Sequence, residues 1–409
     1  MSKETMTFDE ILSLVSTGTS HDLIQNTEKI LRGLQRLGLL EEQQKALLQS
    51  IEKIRAITNN PKTRAGFFRS FFRIIQEEIG KDGRGSSIII EITKKCGKNC
   101  THCYSKFTDR IQSMSDETLN TIVAFAKKNF KHIFLTGGEP TLDPRVCRLA
   151  EKNPDIMFFI FTNGSTLSSS YARRFSELGN VIPLIGIDGA SASTHDAFRG
   201  KGSYNEAMTA ITNLNSWNVS WGFISLVTEQ NAREVLGQEF LENMVRKGAI
   251  IARFLEYLPV GPKPLQDCIL SGETYYFLEK RKNEIIKTGT IYMQDIGEKK
   301  CNGLLFFSVS GDIKNCFCFH YAKYNVAAGD IKECIEKTRK DWTSYTWEGE
   351  CPLYSDLIGF KNHLTACGWK NRSTIEEPYL NDVNIASRLR KNYARFLKIK
   401  AERGLWVFS

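Results

Sequence analysis

"KKCGKNCTHCYSKF", from Lys94 to Phe107, places three cysteines within eight residues, at positions 96, 100 and 103. A structural zinc site uses four ligands, usually as two separated pairs, whereas this run supplies three thiols. His102 offers a fourth donor, but it adjoins Cys103, and adjacent side chains rarely both turn toward one ion. A cubane iron–sulfur cluster has four iron corners that each take a thiolate. Three cysteines on one loop therefore suit such a cluster and leave the fourth iron open to another ligand.

Short apolar runs alternate with amphipathic stretches on the C-terminal side of residue 84. The predicted strands are rich in β-branched and aromatic residues and lie at 87–93, 132–136, 156–162, 181–188, 221–228 and 250–260. Strands separated by helical stretches predict a parallel sheet that is buried on both faces. Sequential βα units curve into a barrel. The predicted fold class is therefore α/β, with a partial (β/α)6 TIM-like barrel at its centre.

The chain has 409 residues, too many for one compact core, so several structural units are expected. Helix-period apolar positions precede the barrel, and an irregular cysteine-rich α+β region follows it. We expect a helical N-terminal module at 1–83, the barrel core at 84–265, a cysteine-rich extension at 266–375 and a basic helical tail at 376–409.

Four unusual sequences follow successive predicted strands. The cysteine loop follows the first strand, "GGEP" at 137–140 the second, "NGS" at 163–165 the third and "DGASASTHDAFRG" at 188–200 the fourth. In barrels of this kind the chemistry collects in the loops that follow the C-terminal ends of the strands. All four sequences are therefore expected on one rim.

Together these motifs resemble the radical S-adenosylmethionine (radical SAM) superfamily, over residues 85–265. The resemblance implies a 4Fe–4S cluster on Cys96, Cys100 and Cys103, with SAM chelated by the open iron. In that family an electron from the cluster cleaves SAM to methionine and a 5′-deoxyadenosyl radical, which abstracts hydrogen from a substrate. The implied partners are an electron donor such as flavodoxin or ferredoxin and a substrate that is a peptide or a small molecule.

The resemblance also assigns contacts with SAM. Glu139 and the carbonyls of its turn would receive the SAM ammonium group, Asp188 would lie near the ribose, and Arg199 near the carboxylate, for which a guanidinium fork is suited. Further residues are assigned to SAM binding by the same motifs: His102, Gly137, Gly138, Pro140, Thr162, Asn163 and Val227. Gly186 stands where many relatives have serine, so one ribose contact is expected to be missing.

A second cysteine group begins with "CNGLLFFSVSGDIKNC" at 301–316. Its alternation and its "GD" pair predict a β-hairpin. The stretch resembles the start of the SPASM/twitch extension found in this superfamily, which implies one auxiliary 4Fe–4S cluster. The expected ligands are Cys301, Cys316, Cys351 and Cys318, with Cys334 as the alternative fourth. Cysteines elsewhere are expected to be buried free thiols, namely Cys147, Cys268 and Cys367.

No sequence motif identifies a catalytic acid or base. Glu256 and Tyr257 end the sixth predicted strand and are expected near the barrel mouth as candidate catalytic residues, with packing as the alternative. His320 is a weaker candidate, and His195 is expected to cap a loop.

Composition and charge bear on where the protein is located and on which other classes of function remain. No signal peptide or membrane span is expected, and the chain is predicted to be cytoplasmic, where eleven cysteines stay reduced. A net charge of +9 is mild at this length and gives no strong nucleic-acid signal. The basic amphipathic stretch at 64–81 predicts a helix packed on the core, with weak membrane-surface contact as the alternative. A zinc-stabilised, basic nucleic-acid-binding protein is the main alternative function, and a fold that has lost catalysis is another.

Overall fold

The structure is a computed structural model. It describes residues 6–37, 87–107, 111–130, 132–260, 263–288, 292–293, 304–346, 351–372 and 378–403, together with the separate positions 39, 41, 44, 48, 51, 55, 61, 63–66 and 68.

Two capped helices form the described part of the N-terminal module, α1 (Phe8–Thr17) and α2 (Ser20–Arg36). Both begin with a capping box, because the Thr7 and Thr19 hydroxyls accept from the third helical N–H while the acidic side chain at that position bonds back to the cap. Their apolar faces share one cluster with the fully buried Phe68. The predicted helical character is therefore present, and most of the amphipathic stretch at 64–81 lies outside the described residues.

The module contacts the barrel at the end opposite the predicted rim. A Cβ added at Gly66 would lie 1.9 Å from Sδ of Met157, the first residue of the third strand. The Thr63 hydroxyl donates to the Gly179 carbonyl at 3.0 Å, just before the fourth strand. These contacts place the module against the N-terminal ends of the strands.

Six parallel strands form the barrel, and each pairs with the next in sequence. They are β1 (Ser87–Thr93), β2 (His132–Gly137), β3 (Met157–Thr162), β4 (Val181–Gly186), β5 (Trp221–Val227) and β6 (Ala249–Glu256). The predicted partial barrel is confirmed. The fourth and sixth strands end before their predicted limits because the chain turns away from the sheet to form the rim loops.

Helices cover the outside of these strands. They are α3 (Asp116–Asn129), α4 (Arg145–Lys152), α5 (Ser169–Leu178), α6 (Ala192–Arg199), α7 (Ser203–Ser216), α8 (Ala232–Val235) and α9 (Gln238–Arg246). Serine caps begin three of them, at Ser115, Ser168 and Ser191, and each accepts from a backbone N–H three residues on. Side chains alternate along each strand, so one set packs under the helices and another, including Phe134 and Phe159, fills the barrel interior.

The C-terminal region extends the same sheet. After α10 (Gly272–Thr288), β7 (Tyr292–Met293) joins β6, while β8 (Leu304–Phe307) runs parallel to β1 and pairs antiparallel with β9 (Ile313–Lys314). The order among the described strands is β7-β6-β5-β4-β3-β2-β1-β8-β9. The predicted hairpin is present from Leu304 onward, and its turn uses Gly311 at a φ of 83°. Pairing with β8 satisfies the backbone edge that β1 would otherwise expose.

Short elements and one long helix complete the fold. They are β10 (Tyr321–Ala322), α11 (Ile331–Thr343), α12 (Pro352–Ser355), α13 (Leu357–Ala366), β11 (Lys370–Asn371) and α14 (Val383–Arg403). The basic tail thus forms a helix, and its apolar stripe, which includes Leu389 and Phe396, is buried. Arg395 Nε donates to Glu273 on α10 at 2.9 Å. Within the described ranges, no helix has the length and apolar character required of a membrane span.

Candidate active site

A cavity of about 200 Å³ opens at the C-terminal mouth of the barrel. Its wall contains the three thiols of the cysteine loop: Cys96, Cys100 and Cys103. Other residues singled out from the sequence also line it, namely His102, Gly137, Gly138, Thr162, Asn163, Arg199, Glu256 and Cys318. The loops that follow β1 to β4 therefore meet at one place.

The cysteine loop is anchored on the segment that joins α6 and α7. The Thr101 N–H donates to the Phe198 carbonyl at 2.9 Å. Lys98 Nζ donates to the Ser203 hydroxyl at 3.1 Å and forms an ion pair with Glu206. Because these contacts hold the middle of the loop, the loop after β4 fixes where the thiols stand.

Cys96 receives two donors. The backbone N–H of Lys98 lies 3.4 Å from its Sγ, and Asn163 Nδ2 lies 3.8 Å from it. Burial raises the pKa of Cys96 and of Cys100, so both are neutral thiols near pH 7 when no metal is bound. Metal ligation requires the thiolate, so binding of a metal ion by these thiols would release protons.

The glycine turn after β2 touches the cysteine loop through the backbone. A Cβ at Gly138 would lie 2.4 Å from the Lys95 carbonyl oxygen and 2.6 Å from that of Lys94. The Glu139 N–H donates to the Lys95 carbonyl at 2.7 Å. Only glycine permits this approach, since any side chain at position 138 would displace the loop that carries the thiols.

Glu139 points into the protein and is fully buried. Its carboxylate accepts from the Thr162 hydroxyl at 2.8 Å, from the Asn163 N–H at 2.7 Å and from both the N–H and the hydroxyl of Thr141. Burial raises the pKa of Glu139, and these hydrogen bonds oppose that effect. Glu139 thus ties the glycine turn to the loop after β3. Neither Glu139 nor Pro140 is part of the cavity wall, and their direct contact with SAM stays a prediction.

Asp188 is the centre of a buried charged group. Its Oδ2 lies 2.5 Å from Arg199 Nε and 3.0 Å from His102 Nε2, and its Oδ1 accepts from the Leu226 N–H at 2.8 Å. Burial would raise the pKa of Asp188, but Arg199 and His102 outweigh it and hold that pKa far below its usual range. The Asp188 carboxylate is therefore charged and lies behind the wall, where it orients two residues that do line the cavity.

Gly186 makes room for Arg199. A Cβ at Gly186 would lie 2.4 to 2.5 Å from three atoms of the Arg199 guanidinium group. The Arg199 guanidinium group thus occupies the space that a side chain at position 186 would take, and the missing ribose contact stays a prediction. The sequence shows both residues, but only the fold shows that one occupies the space left by the other.

Three other expectations concern single residues. His195 Nδ1 accepts from the Asp188 N–H at 3.2 Å, which supports the loop as expected, and burial lowers the pKa of His195 to about 4. Val227 is buried in the outer core, while Leu226 lines the cavity. Tyr257 does not face the mouth, because its ring is buried in the outer core and its hydroxyl accepts from the Leu265 N–H at 2.8 Å.

The second cysteine group also comes together. Cys316 and Cys318 are buried and hydrogen-bonded to each other, and this bond lowers the pKa of Cys316. Burial raises the pKa of Cys351 to about 12, and the neighbouring Cys316 adds to the effect. Cys334 lies on α11, and Cys301 is outside the described residues. Over the described parts of the chain, no three His, Cys, Asp or Glu side chains stand close enough to share one metal ion. A cubane instead takes each thiolate at a different iron.

The two thiol groups share a wall. Cys318 and Phe317 line the same cavity as Cys96, Cys100 and Cys103. The sequence places these groups more than two hundred residues apart. It is the pairing of β8 with β1 that carries the second group to the barrel mouth.

The fold and the site together define an α/β protein with a partial parallel barrel and clustered thiols at its mouth. Residues 90–237 match the family model described as the radical SAM superfamily, so this part of the chain is similar to radical SAM proteins. That superfamily's cofactors are a 4Fe–4S cluster and SAM.

Two curated relatives illustrate the sequence similarity. The AdoMet-dependent heme synthase of Methanosarcina barkeri is 26% identical over 207 residues, which cover 48% of this chain and 59% of that protein. The cysteine-type anaerobic sulfatase-maturating enzyme of Clostridium novyi is 28% identical over 196 residues, covering 42% and 50%. The chain spans about half the length of such relatives. These relatives are enzymes, and they give the nucleic-acid alternative no support.

Solved structures share the fold. The structure of anSMEcpe with bound AdoMet and Cp18Cys peptide has a TM-score of 0.55 at 18% identity and covers 78% of this chain and 98% of that chain. Streptococcus suis SuiB bound to precursor peptide SuiA has a TM-score of 0.56 at 13% identity, covering 84% and 85%. The similarity therefore extends beyond the barrel into the C-terminal region.

Proposed function

We propose that this chain reductively cleaves SAM at a 4Fe–4S cluster held by Cys96, Cys100 and Cys103, and that it abstracts hydrogen from an organic substrate. The observation that carries the proposal is the meeting of these thiols with the glycine turn and the Arg199 guanidinium in one cavity. When bound, the cluster would supply one electron, received from a flavodoxin or ferredoxin, for the cleavage of SAM to methionine and the 5′-deoxyadenosyl radical that would abstract the hydrogen.

The residues of this chain fit that cofactor set. Three thiols come from one loop, and Cys96 has two amide donors directed at its sulfur, of the kind that tunes the potential of an iron–sulfur cluster. The close approach of Gly138 to the Lys94 and Lys95 carbonyls holds the glycine turn against the cysteine loop, and Gly138 also lines the cavity. Arg199 uses Nε for Asp188, and its remaining N–H groups suit the carboxylate of SAM.

An auxiliary 4Fe–4S cluster on Cys316, Cys318 and Cys351, with Cys301 as the fourth ligand, is the second part of the proposal. Its support is that these three described thiols lie together, and that Cys318 also lines the main cavity. An auxiliary cluster there would stand beside the space where the substrate reacts.

The substrate is proposed to occupy the cavity between the cysteine loop and β6. Apolar residues line that side, including Leu255, Leu258 and Phe306, and Glu256 is the only acidic residue among the described lining residues. Lys282 Nζ holds the Glu256 carboxylate at 3.0 Å. Glu256 is therefore proposed to position a donor group of the substrate. Both anSMEcpe and SuiB were solved with peptides, which supports a peptide side chain, and a small molecule is the alternative.

The test is 5′-deoxyadenosine formation from SAM by the anaerobically reconstituted protein with dithionite, measured by mass spectrometry. The variant carries Cys96→Ala, Cys100→Ala and Cys103→Ala, and the matched control carries Cys147→Ala, Cys268→Ala and Cys367→Ala. We expect formation by the wild type and the control and none by the variant. Formation by the variant would contradict the proposal.

A further inference from the structure

The Arg199 side chain is held in one orientation. Its Nε donates to Asp188 Oδ2 at 2.5 Å, and its guanidinium group lies over Gly186, where a Cβ would come within 2.4 to 2.5 Å of it. The side chain is 14% exposed and that of Asp188 only 1%. A guanidinium group stays protonated at any pH of interest. Arg199 therefore places a permanent positive charge in the cavity wall.

This charge stands beside the cysteine loop. The Cys100 thiol lies 4.0 Å from the Arg199 carbonyl oxygen, and the Thr101 N–H bonds to the preceding carbonyl, that of Phe198. The Arg199 side chain lines the same cavity as the thiols of Cys100 and Cys103. The guanidinium charge therefore shares a wall with two of the three cluster thiols.

We propose that Arg199, which packs against Gly186 and is oriented by Asp188, is a positioning residue. It raises the reduction potential of the cluster on Cys96, Cys100 and Cys103. This inference rests on the proposed function, because it requires that cluster. Reduction adds one negative charge to the cluster, and a fixed cation in a poorly solvated wall stabilises that added charge. Asp188 has two opposing effects, since it orients the cation and offsets part of its field.

Gly186 acts through Arg199 in this account. A side chain at position 186 would occupy the space of the guanidinium group, so the group would have to move. A serine at this position would therefore displace Arg199 and change the field at the thiols.

The test is a redox titration of the reconstituted full chain, without SAM, followed by the electron paramagnetic resonance signal of the reduced cluster. The variants are Arg199→Gln, Arg199→Lys and Gly186→Ser, and the control is Arg173→Gln on the exposed face of α5. All are made in a Cys316→Ala/Cys351→Ala background, so that only the first cluster titrates. We expect a more negative midpoint potential for Arg199→Gln and Gly186→Ser, a smaller shift for Arg199→Lys and none for Arg173→Gln.

Equal midpoint potentials and equal iron content in the parent Cys316→Ala/Cys351→Ala protein and in its Arg199→Gln and Gly186→Ser variants would overturn the inference and leave the proposed function intact. Absence of iron from the parent background protein would instead overturn the proposed function. If Arg199→Gln fails to hold iron, Arg199→Lys and Gly186→Ser supply the comparison, and unchanged potentials in both would overturn the inference.

Discussion

The ring of Tyr104 meets the ring of Phe317 edge to face, with centroids 5.6 Å apart, and joins the cysteine loop to the C-terminal cysteine segment. Tyr104 also stacks on His320 at 6.4 Å, and its hydroxyl lies 3.3 Å from that of Thr136. The residue that directly follows Cys103 is thus packed against the neighbours of Cys316 and Cys318. The two thiol groups are parts of one packed wall.

Replacing this ring should loosen that wall. We expect Tyr104→Ala to lower the free energy of unfolding of the apoprotein by about 2–4 kcal/mol, because it removes aromatic contacts and leaves a cavity. Tyr104→Phe keeps the ring and loses only the weak hydroxyl contact, so its cost should stay below about 1 kcal/mol. Anaerobic denaturant titration measures both. Equal stability of the two variants would show that the ring contacts contribute little.

Replacing Glu139 with glutamine should lower both the stability and the activity of the protein. Glu139→Gln places an NH2 group opposite the donors that now reach a carboxylate oxygen, so a buried donor loses its acceptor. Such a loss costs about 1–3 kcal/mol of stability. We also expect 5′-deoxyadenosine formation to fall, since the glycine turn would shift. Thermal unfolding of the apoprotein and product analysis measure the two effects separately, and full stability with full activity would contradict the role given to Glu139.

The auxiliary site should lose iron independently of the first. We expect Cys316→Ala with Cys351→Ala to lower iron from about eight to about four per chain. Uncoupled SAM cleavage should continue, because Cys96, Cys100 and Cys103 are unchanged. Cys334→Ala is the matched control on α11 and should keep its iron. If iron content did not fall in the double variant, the auxiliary-cluster proposal would be wrong.

His195 should make stability depend on pH. Its pKa is lowered by burial from 6.5 to about 4 in the folded protein, so the unfolded chain binds a proton first as the pH falls. The contribution of neutral His195 to the free energy of unfolding is fully present above about pH 6.5. It decreases by about 2–3 kcal/mol as the pH falls toward 4. His195→Gln should remove that part of the slope in denaturant titrations of the apoprotein. An identical slope in both proteins would refute the assignment.

The sequence predicted the barrel because each strand is a local apolar run and each rim loop follows its strand directly. It did not predict that β8 would pair with β1, since an edge strand's partner is not encoded in either segment alone. The sequence also did not predict the direction in which individual side chains point. Tyr257 was expected at the mouth, but the chain has left β6 at that point, the ring is buried in the core and its hydroxyl accepts from the Leu265 N–H. The packing of Arg199 against Gly186 was not predicted either, because the two residues come into contact only in the folded protein.

The most direct test of the central claim is the iron and sulfide content of the reconstituted wild type and of the variant lacking the thiols of Cys96, Cys100 and Cys103. We predict about eight irons per chain in the wild type and about four in the variant, because one cubane is lost. About four irons in the wild type and none in the variant would support the SAM-binding cluster and contradict the auxiliary cluster. Zinc without iron in both proteins would contradict both clusters.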